Sequence, residues 1–233
     1  MSLPVYVEVG AKRVFASALD WPGWSRSGRD EDGAIEELIA HGHRYAAALG
    51  PTAASLGLPA TPSDIEIIER LQGGSGTDFG VPSRSLAGDD GRIDPAEAER
   101  VEAILRASWS AFDAAAQAAV GIELTKGPRG GGRDLDKIVV HVWEADVAYH
   151  QSLGHPYRPP KGVYRPPKGV DPRDDMDEMR ESAIAAWRSR VKGEPLPPSR
   201  RTSEPWTPRY YVRRAAWHAL DHAWEIEDRA GPR

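Results

Sequence analysis

Residues 5–9 and 12–19 are mostly apolar, and the β-branched and aromatic residues in both stretches predict two strands. Gly10-Ala11 between them predicts a two-residue hairpin turn. Trp21-Pro22-Gly23-Trp24 ends the second strand, and residues 25–27 predict a short third one. The period then changes. Ala34, Ile35, Leu38, Ile39 and Tyr45 recur at helical spacing behind Asp30, which predicts one helix from an Asp30 cap to about Leu49, stopped by Gly50. Ile65, Ile67 and Leu71 alternate within residues 63–71 and predict another strand. Residues 72–92 are rich in Gly, Ser and Asp and read as a linker.

From residue 94 onward the spacing is helical and the punctuation is clear. Asp94-Pro95-Ala96-Glu97 supplies an N-cap, a proline at the first helical position and a capping-box glutamate, with Gly121 as the stop. Asp134 caps a second helix that stops at Gly154; Asp171-Pro172 opens a third that stops at Gly193; Thr207-Pro208 opens a fourth that stops at Gly231. Four helices of roughly five turns, each with an apolar stripe, predict a four-helix bundle. The expected class is therefore α+β, with a small N-terminal ββ(β)α module and its linker (residues 1–92) before a helical domain (residues 93–233). The connections 121–133, 154–170 and 193–206 are long for a bundle. Thirteen extended residues reach about 43 Å, which permits parallel neighbours and an up-up-down-down arrangement. The second connection duplicates Tyr157-Arg-Pro-Pro-Lys-Gly-Val163 as Tyr164-Arg-Pro-Pro-Lys-Gly-Val170. Such a tract lengthens a solvated loop, or serves as a polyproline ligand for a partner.

Composition narrows the function classes. A chain of 233 residues with 40% hydrophobic residues is long enough to bury a core. It has no apolar run near the roughly 18 residues of a membrane helix, and the N-terminus lacks a signal pattern, so a cytoplasmic location is expected. The net charge of -5 argues against a general nucleic-acid binder. The absence of cysteine excludes disulfides, thiolate ligands and a cysteine nucleophile of the chain's own.

The most specific chemistry lies in Trp217-His218-Ala-Leu-Asp221-His222-Ala-Trp224. Residues i and i+4 share a helix face, so His218 and His222 can aim at one point. His141, in the stripe Ile138, Val142, Ala145, Ala148 of an earlier helix, would add a third imidazole and complete a divalent metal site with an open position. Three imidazoles suit zinc, nickel, iron or manganese. Glu144, Asp221 and Glu225 lie three residues beyond the three histidines and are expected to orient imidazoles or accept a proton. Hydrogen-bonded core histidines without metal are the plainer alternative. His41, His43, His150 and His155 are read as idle. The loop Lys126-Gly-Pro-Arg129-Gly-Gly-Gly-Arg133 runs into a helix start, where Arg129 and Arg133 could hold an anionic group of a small-molecule substrate; a mobile loop without ligand is the alternative.

Residues 94–233 resemble the DinB-like superfamily of four-helix bundles, which includes mycothiol-dependent and bacillithiol-dependent enzymes. The resemblance lies in helix order, in His141-x-x-Glu144 and in His218-x3-His222. It implies that His141, His218 and His222 ligate a divalent metal, that the partner substrate is a low-molecular-weight thiol, and that the protein is a thiol S-transferase or hydrolase, expected to be a homodimer. A non-catalytic metal-binding or stress-response scaffold is the alternative, since several members have no assigned activity. Residues 15–37 also resemble a HicB-type antitoxin module, which implies a small ββ(β)α fold.

Overall fold

The structure is a computed structural model of the chain and describes residues 2–126, 132–155, 157, 173–198 and 204–231. Arg129, the Asp171-Pro172 helix start and the tandem duplicate after Tyr157 lie outside the described residues. The class is α+β: a four-stranded mixed sheet near the N-terminus and mostly helix thereafter. Two compact units divide the chain, Met1–Ser108 with Val212–Trp217, and Trp109–Tyr211 with His218–Arg233.

In the first unit, β1 (Leu3–Val9), β2 (Val14–Ala18), β3 (Ser25–Gly28) and β4 (Ile65–Gln72) form a sheet in the order β3-β2-β1-β4. β1 pairs antiparallel with β2 and parallel with β4. Val9 faces Val14, so four residues rather than two join the hairpin, closed by the Gly10 N–H donating to the Arg13 carbonyl at 2.9 Å. The expected single helix from Asp30 is two: α1 (Glu31–Ala40) and α2 (Gly42–Leu49), broken at His41. Asp30 does cap it, accepting from the Gly33 N–H at 2.9 Å. The break follows packing. Gly42 lies against the Trp24 ring, where a Cβ would come within 3.0 Å, and α2 then stacks Tyr45 on Trp24 with centroids 5.3 Å apart. Gly28 is needed for the same reason: α1 passes β3 so closely that a Cβ would stand 2.3 Å from the Ala34 nitrogen. Every residue of β2 is buried, with Phe15 edge-on to Trp217 at 6.3 Å.

Residues 72–92 carry α3 (Ser75–Phe79) and are tied to β1. The buried Glu8 carboxylate accepts from the Ser83 N–H at 2.9 Å, the Arg84 N–H at 3.0 Å and the Thr77 hydroxyl. A stretch that reads as a linker from composition is thus held by one carboxylate far away in sequence, since buried polar groups must find partners.

The later helices match the sequence reading to within two residues: α4 (Pro95–Ala118), α5 (Leu135–Ser152), α6 (Arg173–Val191) and α7 (Pro208–Ala230). α7 opens as expected, with the Thr207 hydroxyl accepting from the Tyr210 N–H at 3.2 Å. Each residue from Tyr210 to Leu220 is buried. In the second unit α6 reaches its neighbours through polar side chains. The Trp187 indole donates to the Pro208 carbonyl at 3.1 Å, and Arg180 Nη1 donates to Asp113 Oδ2 of α4 at 2.7 Å. The Arg180 Nε stands 3.8 Å from Asp146 Oδ2 of α5, beyond direct hydrogen-bond range. No described helix is long and apolar enough to cross a membrane.

Candidate metal centre

α5 and α7 supply the three histidines, and His141, His218 and His222 all fall in the second unit. The buried face of α5 carries Ile138, Val139, Val142, Trp143, Asp146, Val147 and His150. His141 sits at the edge of that face, half-buried, and Ala148 of the expected inward stripe is exposed. The helix is rotated from the expected stripe because Trp143 and Val147 take the core. His218 and His222 are buried on α7.

The three rings converge. His218 Nε2 lies 3.3 Å from His141 Nε2, and one nitrogen from each histidine lies within 4.8 Å of the others. The centroids are 4.6 Å to 5.1 Å apart and every ring pair is inclined, at 61° to 84°. No two of the three rings are stacked. The Nε2 separation is long for an N–H···N hydrogen bond. It matches the spacing of roughly 3.3 Å between two nitrogens bound tetrahedrally at about 2.0–2.1 Å from zinc. The donor set therefore fits a divalent ion, and His141, His218 and His222 are the residues that could hold one.

The carboxylates separate into distinct places. Glu225 Oε2 accepts from His222 Nδ1 at 2.8 Å, which leaves His222 Nε2 as the nitrogen for a metal. That hydrogen bond, aided by Arg229, holds the Glu225 carboxyl below its ordinary range, so it stays ionised. Glu144 is half-buried and close enough for its charge to act on His141. Asp221 is half-buried, one residue before His222. Burial, then repulsion by His222 and Arg133, pushes the His141 imidazole below its ordinary value, which favours the neutral form that binds metal. Arg133 itself is exposed, and Arg129 lies outside the described residues.

Arg229 is the functional candidate that the sequence reading missed. Its Nη1 donates to Glu225 Oε1 at 2.6 Å and its Nε to the Thr125 carbonyl at 2.8 Å, while the Thr125 N–H donates to the Arg229 carbonyl at 2.9 Å. Gly132 (φ 138°) passes so close that a Cβ would stand 2.6 Å from Arg229 Nη2. The Thr125 end of the glycine-rich loop is thus bonded to the guanidinium that holds Glu225, which in turn holds His222, and the Gly132 end passes beside the same guanidinium. The Glu225-to-Arg229 spacing of four residues was the available signal. Glu225→Ala is expected to weaken metal affinity about 10- to 100-fold with all three ligands present. Chelator competition measures this, and an affinity within twofold of the parent would remove Glu225 from the role.

His150, read as idle, is buried with neither ring nitrogen hydrogen-bonded among the described residues, and burial lowers its imidazole to about 4. Comparison of the chain with family models, with curated proteins and with solved structures gave no match.

Proposed function

We propose that the protein is a divalent-metal-dependent enzyme acting on a small thiol, as an S-transferase or a hydrolase, built on a DinB-like helical bundle. The convergence of His141, His218 and His222, with Nε2 atoms 3.3 Å apart, carries the reading. A cation in this site supplies Lewis acidity that lowers the pKa of a bound thiol or water. The chain's own residues do the rest. Glu225 keeps His222 in the tautomer that presents Nε2, and Arg229 keeps Glu225 in place. In this reading Glu144, whose charge acts on His141, accepts the thiol or water proton, and Arg133 attracts an anionic group on the substrate. A chain without cysteine must take its sulfur nucleophile from solution.

Tag-free protein loaded with zinc and mixed with a low-molecular-weight thiol and an alkyl halide is expected to consume thiol faster than its metal-free form does. Free thiol is followed with a disulfide reagent. Equal consumption with and without metal, across zinc, nickel, iron and manganese, would leave a metal-binding scaffold.

A further inference from the structure

We infer that the metal centre carries an aromatic subsite, formed by Tyr149 and Trp206, which selects ligands bearing a flat aromatic group beside the atom that binds the metal. The inference rests on the metal reading above and names the substrate class of that site.

Tyr149 lies eight residues after His141 on α5, and its ring meets the His218 ring edge-on, with centroids 5.6 Å apart and an interplanar angle of 81°. Trp206 lies just before α7, its ring 5.2 Å from Tyr149 at a tilt of 38° and 4.8 Å from Tyr210 edge-on. Three contiguous rings therefore extend from a histidine of the centre. The wall is preformed. The Trp206 N–H donates to the Ser152 carbonyl at 2.7 Å, and the next residue, Thr207, caps α7. Tyr210 is buried and serves as footing, whereas Tyr149 and Trp206 are half-buried, as is His141. Packing alone explains the buried Tyr210; Tyr149 beside His218, and Trp206 beside Tyr149, each keep part of a large ring at the surface although burying it would be favourable.

The chemistry of the occupant follows from charge. Aromatic faces attract either cations or other rings. Arg190 Nη2 donates to the Trp206 carbonyl at 3.4 Å, so a fixed guanidinium stands behind this wall and disfavours a cationic guest. Arg133 acts on His141, and Arg229 is tied through Glu225 to His222, so an anionic group of the ligand would point toward those two histidines and the ring toward Tyr149 and Trp206.

The test uses tag-free protein loaded with cobalt(II), whose visible absorption reports binding at the ion without any turnover. Phenylmethanethiol is expected to bind about tenfold more tightly than cyclohexylmethanethiol, which is equally apolar but not flat. In Trp206→Leu and Tyr149→Leu that ratio is expected to fall to near one. Trp206 meets none of the three histidine rings in these contacts, so its variant should keep the parent's cobalt stoichiometry. A cobalt-loaded parent that binds both thiols equally, or a Trp206→Leu protein that keeps the preference, overturns the subsite while the metal centre stands. A parent that shows no cobalt band overturns both.

Discussion

Replacing His218 by alanine is expected to reduce bound divalent metal from about one ion per chain to less than about a tenth of that, because two imidazoles from two helices make an incomplete site. His218 is the ligand to remove: its Nε2 faces His141 at 3.3 Å, its ring is 4.6 Å from His222, and it is 6% exposed. The fold should survive. Alanine has the highest helix propensity, and the neighbours Ala215, Ala216 and Ala219 already keep this part of α7 small. The cavity left by an imidazole costs on the order of 2 kcal/mol, which a domain of this size tolerates. His150→Ala serves as the matched control. It also removes a buried histidine from one of the same two helices, yet His150 is not among the three converging residues, so metal content should not change. Elemental analysis of tag-free protein decides the matter. A His218→Ala protein with undiminished metal would show that the three rings are a packing cluster.

Much of this site was legible in the chain because its logic is local. An i,i+4 histidine pair declares a shared face, and each helix carries its own cap and glycine stop, so the boundaries of α5 and α7 followed from a few residues each. What was not legible depends on partners distant in sequence. Glu8 holds Thr77, Ser83 and Arg84, and nothing in that glycine- and serine-rich stretch announces a carboxylate on β1. The break at His41 is imposed by Trp24, which needs Gly42 beneath its ring. Arg229 could be linked to Glu225 by spacing, but its grip on Thr125 needs the loop to return to the end of α7. The small rotation of α5 that exposes Ala148 and leaves His141 at the edge was hidden for a related reason. Trp143, Asp146, Val147 and His150 form a stripe as well spaced as the expected one, and only tertiary packing chooses between them.

Asp146→Asn is expected to stabilise the protein by roughly 4 kcal/mol at pH 8 and by almost nothing near pH 4. Asp146 is 2% exposed; burial raises its carboxyl to about 7, the lowering effect of Arg180 falling short, with the Asp113 charge adding to the rise. An unfolded aspartate titrates near 4, so between about pH 4 and pH 7 the folded state binds more protons than the unfolded state. Stability then falls as pH rises through that window, and the full cost of a buried carboxylate is present above it. Asparagine mimics the protonated acid and removes the cost, while Arg180 keeps its contact with Asp113. His150 works with the opposite sign. Its imidazole is lowered to about 4, so between pH 4 and about 6.5 the unfolded state binds more protons, and stability is lost as pH falls. The two slopes nearly cancel in the parent between pH 4 and 6.5, which makes its own profile uninformative there. The variants separate them: Asp146→Asn should gain stability from pH 4 to 6.5 and then level, and His150→Phe should lose stability from pH 4 to 7. Urea unfolding across this range measures both curves, and an Asp146→Asn protein less stable than the parent at pH 8 would mean that Arg180 outweighs the cost of burying the ionised carboxylate.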